Sequence, residues 1–207
     1  KMDTNLRSTS VCQNNVAMGS SLLSTLESNY DIMIEHMQRI RDLTEEAANG
    51  TYGADSLTAI NAEIEARFTE IDRIAAVTEY NGKPLMTGGG AINIQVGIDS
   101  SANSTITLAA ALFADAKTKT IIGKSATEYK ALITTPNTAN IKTALDAIDA
   151  GLTDITSRQT NIGAYQNRLD SAAEALTVQY DNLTSSLSTV RDTDVASESS
   201  NFIKAQI

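Results

Sequence analysis

Residues 141–190 carry an apolar side chain at every seventh position. The first series is Ile141, Ile148, Ile155, Ile162, Leu169, Leu176, Leu183 and Val190, and a second series four residues further on is Leu145, Leu152, Gln159, Gln166, Ala173, Tyr180 and Leu187. Two interleaved series at this spacing are typical of the a and d positions of a long helix that packs lengthwise on partner helices. At about 1.5 Å per residue this helix is roughly 75 Å long, several times the mean for globular proteins. The pattern therefore predicts a rod built for assembly rather than for enclosing a pocket.

Composition supports a thin helical bundle. The hydrophobic fraction of the 207 residues is 42%, but aromatic residues are only 4% and Trp is absent. Ligand cavities favour aromatic linings, so this core suits helix packing better. The net charge of −9 argues against nucleic acid or an anionic membrane as the main partner, because both require a basic surface. No run of 18 apolar residues exists, and we expect no transmembrane helix.

The first half of the chain predicts two helices and a hairpin. Helices are expected at about 2–47 and 55–77, where apolar residues recur at steps of three and four, with Asp55 as the N-cap of the second helix. The period then changes to two over residues 92–98 and again over 105–108, which predicts strands. We expect these strands to form one β-hairpin over about 83–108.

The second half predicts a long helix after an irregular stretch. Residues 109–137 are irregular, with short helices possible at 109–114 and 126–133, and Pro136-Asn137-Thr138 then caps a helix over about 138–190. Arg191-Asp192-Thr193-Asp194 is expected to break that helix before an amphipathic segment at 195–207. Residues 1–207 thus predict a single domain, mainly α, in which long helices form an elongated antiparallel bundle with a small β-hairpin element.

Catalytic motifs are missing from the sequence. His36 is the only histidine, so the two-histidine zinc motif of a metalloprotease cannot form. Gly88-Gly89-Gly90 is not followed by the Lys-Ser/Thr of a phosphate-binding loop, and Cys12 has no nearby histidine that would activate its thiol. Gln159 and Gln166 are polar seam residues, which more often set register than bind a ligand. We expect no catalytic residue, metal site or cofactor site, and therefore no enzyme.

A family resemblance follows from motifs that occur in order along most of the chain. These are Gln38–Leu43, Ala47–Thr51, Glu63–Ile64, Glu70–Ile74, Glu79–Leu85, Ile92–Gly97, Ala144–Asp149, Gly163–Leu169, Arg191–Asp194 and Ala205–Ile207. Together they resemble the core domain of bacterial flagellin. The resemblance implies a structural subunit of the flagellar filament, secreted by the flagellar type III apparatus and polymerised with other flagellin subunits.

Three further expectations accompany this resemblance. The chain starts and stops inside helical patterns, which predicts a fragment without the terminal polymerisation segments that stays soluble and monomeric. A hook–filament junction protein is an alternative, because it shares the Arg-x-Arg and Ala-Asn-Gly-Thr region. A secreted adhesin-like binding module is a further alternative.

Flagellin cores are also ligands of an innate immune Toll-like receptor. By resemblance, the receptor contacts fall on Arg39 and Leu43 of the first helix and on Glu70 of the second. An arginine fork, an apolar neighbour one turn on and a carboxylate on the adjacent helix suit such a contact. This chain has Glu45-Glu46 where flagellins usually carry Val-Gln, so two added charges lie beside the expected contact.

Overall fold

The computed structural model describes the backbone of residues 1–206 and the side chains of residues 1–189, 199 and 202–204. The expected seam residue Val190 and the apolar residue Ile207 lie outside the described side chains. Phe202 and Ile203, from the same terminal stretch as Ile207, are exposed.

The protein is mainly α-helical, as predicted. The five α-helices are α1 (Met2–Ala47), α2 (Ala54–Val77), α3 (Thr118–Ile121), α4 (Ala126–Thr134) and α5 (Thr138–Gln206). Turns of 3-10 helix occupy Ala102–Ser104 and Ala110–Phe113. The two short helices expected between the β element and the long helix are therefore confirmed at 110–113 and 126–134, whereas α3 was not predicted.

The β element is two small sheets rather than one hairpin over 83–108. Strand β1 (Glu79–Tyr80) pairs antiparallel with β2 (Lys83–Pro84), and β3 (Ile92–Gln95) pairs with β4 (Thr105–Leu108). Asn81 and Gly82 have φ values of 49° and 73°, which match the mirror-image turn that joins two short strands. This Asn-Gly turn pairs Lys83 back onto Tyr80, so Lys83 belongs to the first sheet and corrects the predicted boundary.

The helix starts differ from expectation at α2 and agree at α5. Gly53, not Asp55, is the N-cap of α2; Asp55 lies in the first turn, where a carboxylate favours the helix dipole. At α5, Asn137 Oδ1 accepts hydrogen bonds from the backbone N–H of Ala139 (3.0 Å) and Asn140 (2.9 Å). The predicted cap of the long helix is therefore confirmed.

The predicted break at Arg191–Asp194 is wrong, because α5 continues to Gln206. Asp and Thr have lower helix propensity than Ala, but each keeps the backbone N–H that continues the helical hydrogen bonds. Only a residue such as Pro removes that donor. A cluster of moderate helix formers is therefore too weak a signal to end a helix this long.

Two compact units divide the chain. Unit 1 contains residues 1–21, 93–107 and 166–207, and unit 2 contains residues 22–92 and 108–165. Helices α1 and α5 each contribute to both units. The assignment of residues 1–207 to a single domain stays a prediction.

The α5 seam, in which apolar residues recur at every seventh position, is buried in each unit. In unit 2, Ile148, Ile155 and Ile162 have no exposed surface, and in unit 1 Leu169 has none and Leu176 is 4% exposed. Leu183 is half-buried, as are the described members of the second series, which are Leu145, Leu152, Gln159, Gln166, Ala173, Tyr180 and Leu187. The predicted a/d seam is confirmed over residues 141–187.

Unit 2 also contains a largely buried arginine that fixes the segment before α3. Arg158 Nη1 donates to the Ala114 carbonyl (2.8 Å) and to the Tyr30 hydroxyl (3.2 Å), and its Nη2 pairs with Asp154 (2.8 Å). Tyr30 in turn donates to the Leu112 carbonyl (3.1 Å), and burial raises the pKa of its phenol. Because these donors reach main-chain carbonyls, they fix residues 110–116, which include a turn of 3-10 helix, against α1 and α5.

The cap of α5 gives a first prediction. Asn137→Ala removes the acceptor for two helix N–H groups, and we expect a loss of about 1 kcal/mol in the free energy of unfolding. Asn161→Ala is the matched control in the interior of α5. Ala is a better helix former than Asn, so we expect this variant to raise the free energy of unfolding by about 0.5 kcal/mol. Urea denaturation followed by circular dichroism measures both. Equal effects of the two variants would contradict the capping role.

Candidate interaction surfaces

Charged side chains of α1 and α2 form a hydrogen-bonded cluster on unit 2, which we call the α1–α2 ion network. It consists of His36, Arg39, Glu63 and Arg67. Arg39 Nε donates to Glu63 Oε1 at 3.0 Å and its Nη2 to Oε2 at 3.4 Å. Arg67 donates to the same Oε1 at 3.0 and 3.1 Å. Glu63 is therefore shared between an arginine of each helix.

Histidine closes this network on the other side. Arg67 Nη1 lies 3.2 Å from His36 Nδ1, and since a guanidinium is only a donor, Nδ1 accepts. Neutral His36 then carries its proton on Nε2. This contact links α2 back to α1, so two side-chain pairs, Arg39–Glu63 and Arg67–His36, join the two helices.

The electrostatic effect of the network is clearest at Glu63. The hydrogen bonds from Arg39 and then Arg67 hold the pKa of its carboxyl below its ordinary value. The same hydrogen bond and charge raise the pKa of Arg39. Both side chains are well exposed, at 44% for Arg39 and 37% for Glu63, so solvent screens the pair and its contribution to stability is small.

The lowered pKa of Glu63 gives a second prediction. Its pKa is lower in the folded than in the unfolded chain, so folding is favoured by its ionised form. That stabilisation is fully present above the unfolded pKa of about 4.3 and is lost as the pH falls through the folded pKa. We expect Glu63→Gln to be less stable than the parent at pH 7, with the difference shrinking below about pH 4.3. Urea midpoints measured from pH 3 to pH 7 test this, and a difference independent of pH would contradict it.

The three residues expected to contact a receptor differ in their exposure and in their ion-pair partners. Arg39 is exposed and paired with Glu63 rather than with Glu70. Glu70 pairs with Arg73 at 2.6 and 2.8 Å, and this hydrogen bonding lowers the pKa of the Glu70 carboxyl. Leu43 is 2% exposed and packs in the core of unit 2. The role of Arg39, Leu43 and Glu70 in receptor binding stays a prediction.

Glu63 and Arg67 are site residues that sequence reasoning missed. Their four-residue spacing on one helix is the usual signal of a surface ion pair and was available in the sequence. The pairing of Arg39 with Glu63 joins residues 24 positions apart on different helices, so no local pattern indicates it.

Glu45 and Glu46, the two acidic residues beside the expected receptor contact, both have partners. Glu45 pairs with Arg41 at 2.6 Å, and Arg41 also donates to Asp149 of α5 at 2.8 Å. Glu46 accepts a hydrogen bond from the Tyr52 hydroxyl at 2.7 Å. Both carboxylates therefore have partners within unit 2. Glu45 pairs with Arg41, which also contacts α5, and Glu46 pairs with Tyr52 in the turn after α1.

No group of three or more His, Cys, Asp or Glu side chains is placed to hold a metal ion among the residues that the structure describes. Over the same part of the chain, none of the helices combines the length and apolar character needed to cross a membrane.

Long helices, a buried seam of apolar residues at every seventh position and two very small sheets define a class of proteins built from long packed helices. Comparison with known families identifies the class further. A profile of the bacterial flagellin N-terminal helical region matches residues 1–91, and one of the bacterial flagellin C-terminal helical region matches residues 145–207. The chain belongs to the bacterial flagellin family.

Individual relatives agree with this assignment. The whole chain aligns at 30% identity with 74% of the flagellar filament 30.7 kDa core protein of Treponema maltophilum, and at 30% identity with 76% of a flagellin of Bacillus subtilis. Among solved structures, a Bacillus cereus flagellin has a TM-score of 0.64 at 27% identity, covering 84% of this chain and 94% of that one.

A likeness to another flagellar protein is limited to the fold. A putative flagellar hook-associated protein from Vibrio parahaemolyticus has a TM-score of 0.72 at 16% identity, covering 89% of this chain and 92% of that one. At this identity the similarity concerns the helical architecture alone.

Proposed function

We propose that the chain is a structural subunit of a bacterial flagellar filament, in which it contacts other copies of itself. The observation that carries this proposal is the match to both helical regions of flagellin, at 1–91 and 145–207, together with the buried seam that runs through the second of them. A seam of this kind stiffens a helix along its length. Stiffness along one direction suits a filament subunit.

Export to the cell exterior by the flagellar type III apparatus is part of the same proposal. Deleting the gene tests the filament role: we expect cells without filaments and without swimming motility, and recovery of both when the gene is restored. Filaments of normal length and number in the deletion strain, in the absence of a second flagellin gene, would overturn the proposal.

A hook–filament junction protein is the second candidate, because the Arg-x-Arg and Ala-Asn-Gly-Thr region of this chain resembles that of such proteins. Motifs at Asn81–Leu85 and Gly163–Leu169 instead favour a filament subunit. The amount of protein separates the two: a filament subunit is the main protein of purified filaments, whereas a junction protein occupies only a short zone at the filament base.

Recognition by a flagellin-sensing Toll-like receptor is a further part of the proposal. It is supported by the exposed guanidinium of Arg39 on α1 and the carboxylate of Glu70 on α2, which is 37% exposed. Glu63 already occupies two donors of Arg39, so a receptor carboxylate has to compete with an internal partner. Arginine is among the residues that most often dominate binding energy in protein interfaces.

Receptor binding gives a third prediction. We expect Arg39→Ala to weaken binding of the chain to the receptor ectodomain about tenfold or more, because arginine side chains often contribute much of the binding energy of an interface. A tenfold loss corresponds to roughly 1.4 kcal/mol. Arg7→Ala is the matched control, since Arg7 is a more exposed arginine of α1 with its own pairing to Asp3. Surface plasmon resonance measures all three proteins. Equal affinities of the parent and Arg39→Ala would remove Arg39 from the contact while leaving the filament role untouched.

A further inference from the structure

Two Asn-Gly pairs occur in turns of unit 2. Asn49-Gly50 follows the end of α1, and Asn81-Gly82 joins β1 to β2. All four residues are exposed to solvent. The side-chain amide of an asparagine can react with the backbone nitrogen of a following glycine, because glycine has no side chain that blocks the approach. The shared dipeptide makes the two pairs alike, so any difference in their reactivity has to come from the structure around them.

The side-chain oxygen of Asn49 accepts two hydrogen bonds from one residue. The backbone N–H of Thr51 donates to Asn49 Oδ1 at 3.2 Å, and the Thr51 hydroxyl donates to the same atom at 3.1 Å. Negative charge develops on this oxygen when a nucleophile adds to Cγ, and donors already aimed at it stabilise that charge. The nucleophile is the backbone nitrogen of Gly50, whose N–H makes no backbone hydrogen bond to the described residues. The turn therefore holds a free nucleophile next to a polarised amide.

The turn at Asn81 opposes the same reaction. Pairing of Tyr80 with Lys83 holds both ends of this turn, and the φ values of 49° at Asn81 and 73° at Gly82 are those of the mirror-image form. In that form the torsion about the Cα–C bond of the first residue is positive, about +30°. A planar five-membered ring that includes this bond requires a negative torsion, so ring closure at Asn81 has to distort the strand pairing. Among the residues that the structure describes, none donates a hydrogen bond to the Asn81 side chain.

We propose that Asn49 is a site at which the chain modifies itself by deamidation, with water as the co-reactant. The Gly50 backbone nitrogen loses its proton to solvent and forms a bond to Asn49 Cγ. The Cγ–Nδ2 bond then breaks, ammonia leaves with a proton taken from solvent, and a succinimide ring remains. Water cleaves one of the two carbon–nitrogen bonds of that ring: cleavage at Cγ gives aspartate, and cleavage at the backbone carbonyl carbon gives isoaspartate.

The modification changes the charge of the chain without an enzyme. The overall reaction converts an amide and water into an acid and ammonia, so no oxidant or reductant takes part. Each conversion adds one negative charge to a chain whose net charge is already −9. The new carboxylate lies in the turn that follows α1, next to Glu45 and Glu46 at the end of that helix. Older copies of the chain are therefore more acidic at this turn than newly made copies.

Incubating the purified chain at neutral pH and physiological temperature tests the proposal, with Asn81 as the internal control. Peptide mass spectrometry measures the conversion of amide to acid at each asparagine. We expect Asn49 to convert about tenfold faster than Asn81, because two hydrogen bonds stabilise the charged intermediate at Asn49. In guanidinium chloride, where both turns are unfolded, we expect the two rates to agree within about twofold, since each asparagine precedes a glycine. Equal rates in the folded chain, or an undiminished difference in the unfolded chain, would overturn the proposal.

Substituting the nucleophile's residue tests the ring mechanism. A Cβ atom at Gly50 would have no atom within 4 Å, and the φ of Gly50 lies outside the left-handed region, so Gly50→Ala keeps the fold. The added methyl group hinders the approach of the nitrogen to Asn49 Cγ, and we expect conversion at Asn49 to slow about tenfold while conversion at Asn81 stays at the parental rate. Conversion at Asn49 that continues at the parental rate in this variant would contradict the ring mechanism and with it the proposal.

Removing one donor tests the role of Thr51. Thr51→Val keeps the shape of the side chain but lacks the hydroxyl, and we expect conversion at Asn49 to slow about fivefold, the effect of one hydrogen bond. Thr69→Val, at an exposed position of α2, is the matched control and is expected to convert at the parental rate. An unchanged rate in Thr51→Val, or an equal loss in Thr69→Val, would overturn the proposal.

Discussion

We expect Ile155→Ala to lower the free energy of unfolding by about 2–5 kcal/mol, the range for removing a large aliphatic side chain from a packed core. Ile155 has no exposed surface and lies on the first series of the α5 seam, within unit 2. Small proteins are stable by only about 5–15 kcal/mol, so this single change removes a large part of the total. Guanidinium chloride denaturation, followed by circular dichroism at the helix minimum, measures the loss.

Two controls show whether the seam position itself is responsible. Ile155→Val keeps the β-branched shape and removes one methyl group, for which we expect a loss of about 0.5–1.5 kcal/mol. Thr156→Ala, at the neighbouring exposed position, is expected to change stability by no more than about 0.5 kcal/mol. An Ile155→Ala variant as stable as Thr156→Ala would contradict the account of the seam.

The second large effect concerns two glycines of α5, one in a closely packed environment and one with open space around it. A Cβ atom added at Gly151 would lie 2.5 Å from Met37 Cε, 2.8 Å from Ile122 Cγ2 and 2.9 Å from Ile121 Cγ2, whereas a Cβ at Gly163 would have no atom within 4 Å. The Met37 methyl group is the flexible end of its side chain, but the two isoleucine methyl groups are attached directly at Cβ and move less easily. Gly151 therefore permits α1 and α3 to pack closely on α5.

Substituting both glycines measures that close packing. Gly163→Ala is expected to raise stability by about 1 kcal/mol, because Ala is a better residue than Gly in a helix interior. Gly151→Ala gains the same helix propensity but incurs an overpacking cost of about 1–3 kcal/mol. The difference between the two variants in denaturant midpoint isolates the overpacking cost, and we expect Gly151→Ala to be the less stable of the pair. If both variants were stabilised equally, the tight contact at Gly151 would not exist.

The long helices were predictable because their apolar periodicity extends over many turns. Helix α1 occupies Met2–Ala47 and α2 Ala54–Val77, each within one residue of the expected bounds. The start of α5 followed from the side chain of Asn137, which is a local signal. Its end did not, since residues of moderate helix propensity such as Asp192 and Thr193 weaken a helix without ending it. Periodicity therefore predicted the interior of each helix better than its ends.

The surfaces were much less predictable than the helices. Strands β1 and β2 have two residues each, too short to show an alternating pattern, so β1 was not predicted and β2 was assigned to the start of the predicted hairpin. The ion pair of Arg39 with Glu63 depends on how separate helices meet, which no local pattern encodes. The burial of Leu43 was also not predictable from a local pattern. Its sequence motif suggested a surface contact, but the fold buries it.

Cryo-electron microscopy of filaments purified from the bacterium that makes this protein, with mass spectrometry of the same sample, tests the central claim most directly. The account predicts that this chain is the main protein of the sample and that each repeating copy keeps the α5 side chains of Ile148, Ile155 and Leu169 buried. Filaments built from a different protein, with this chain absent or present only at one end, would contradict it.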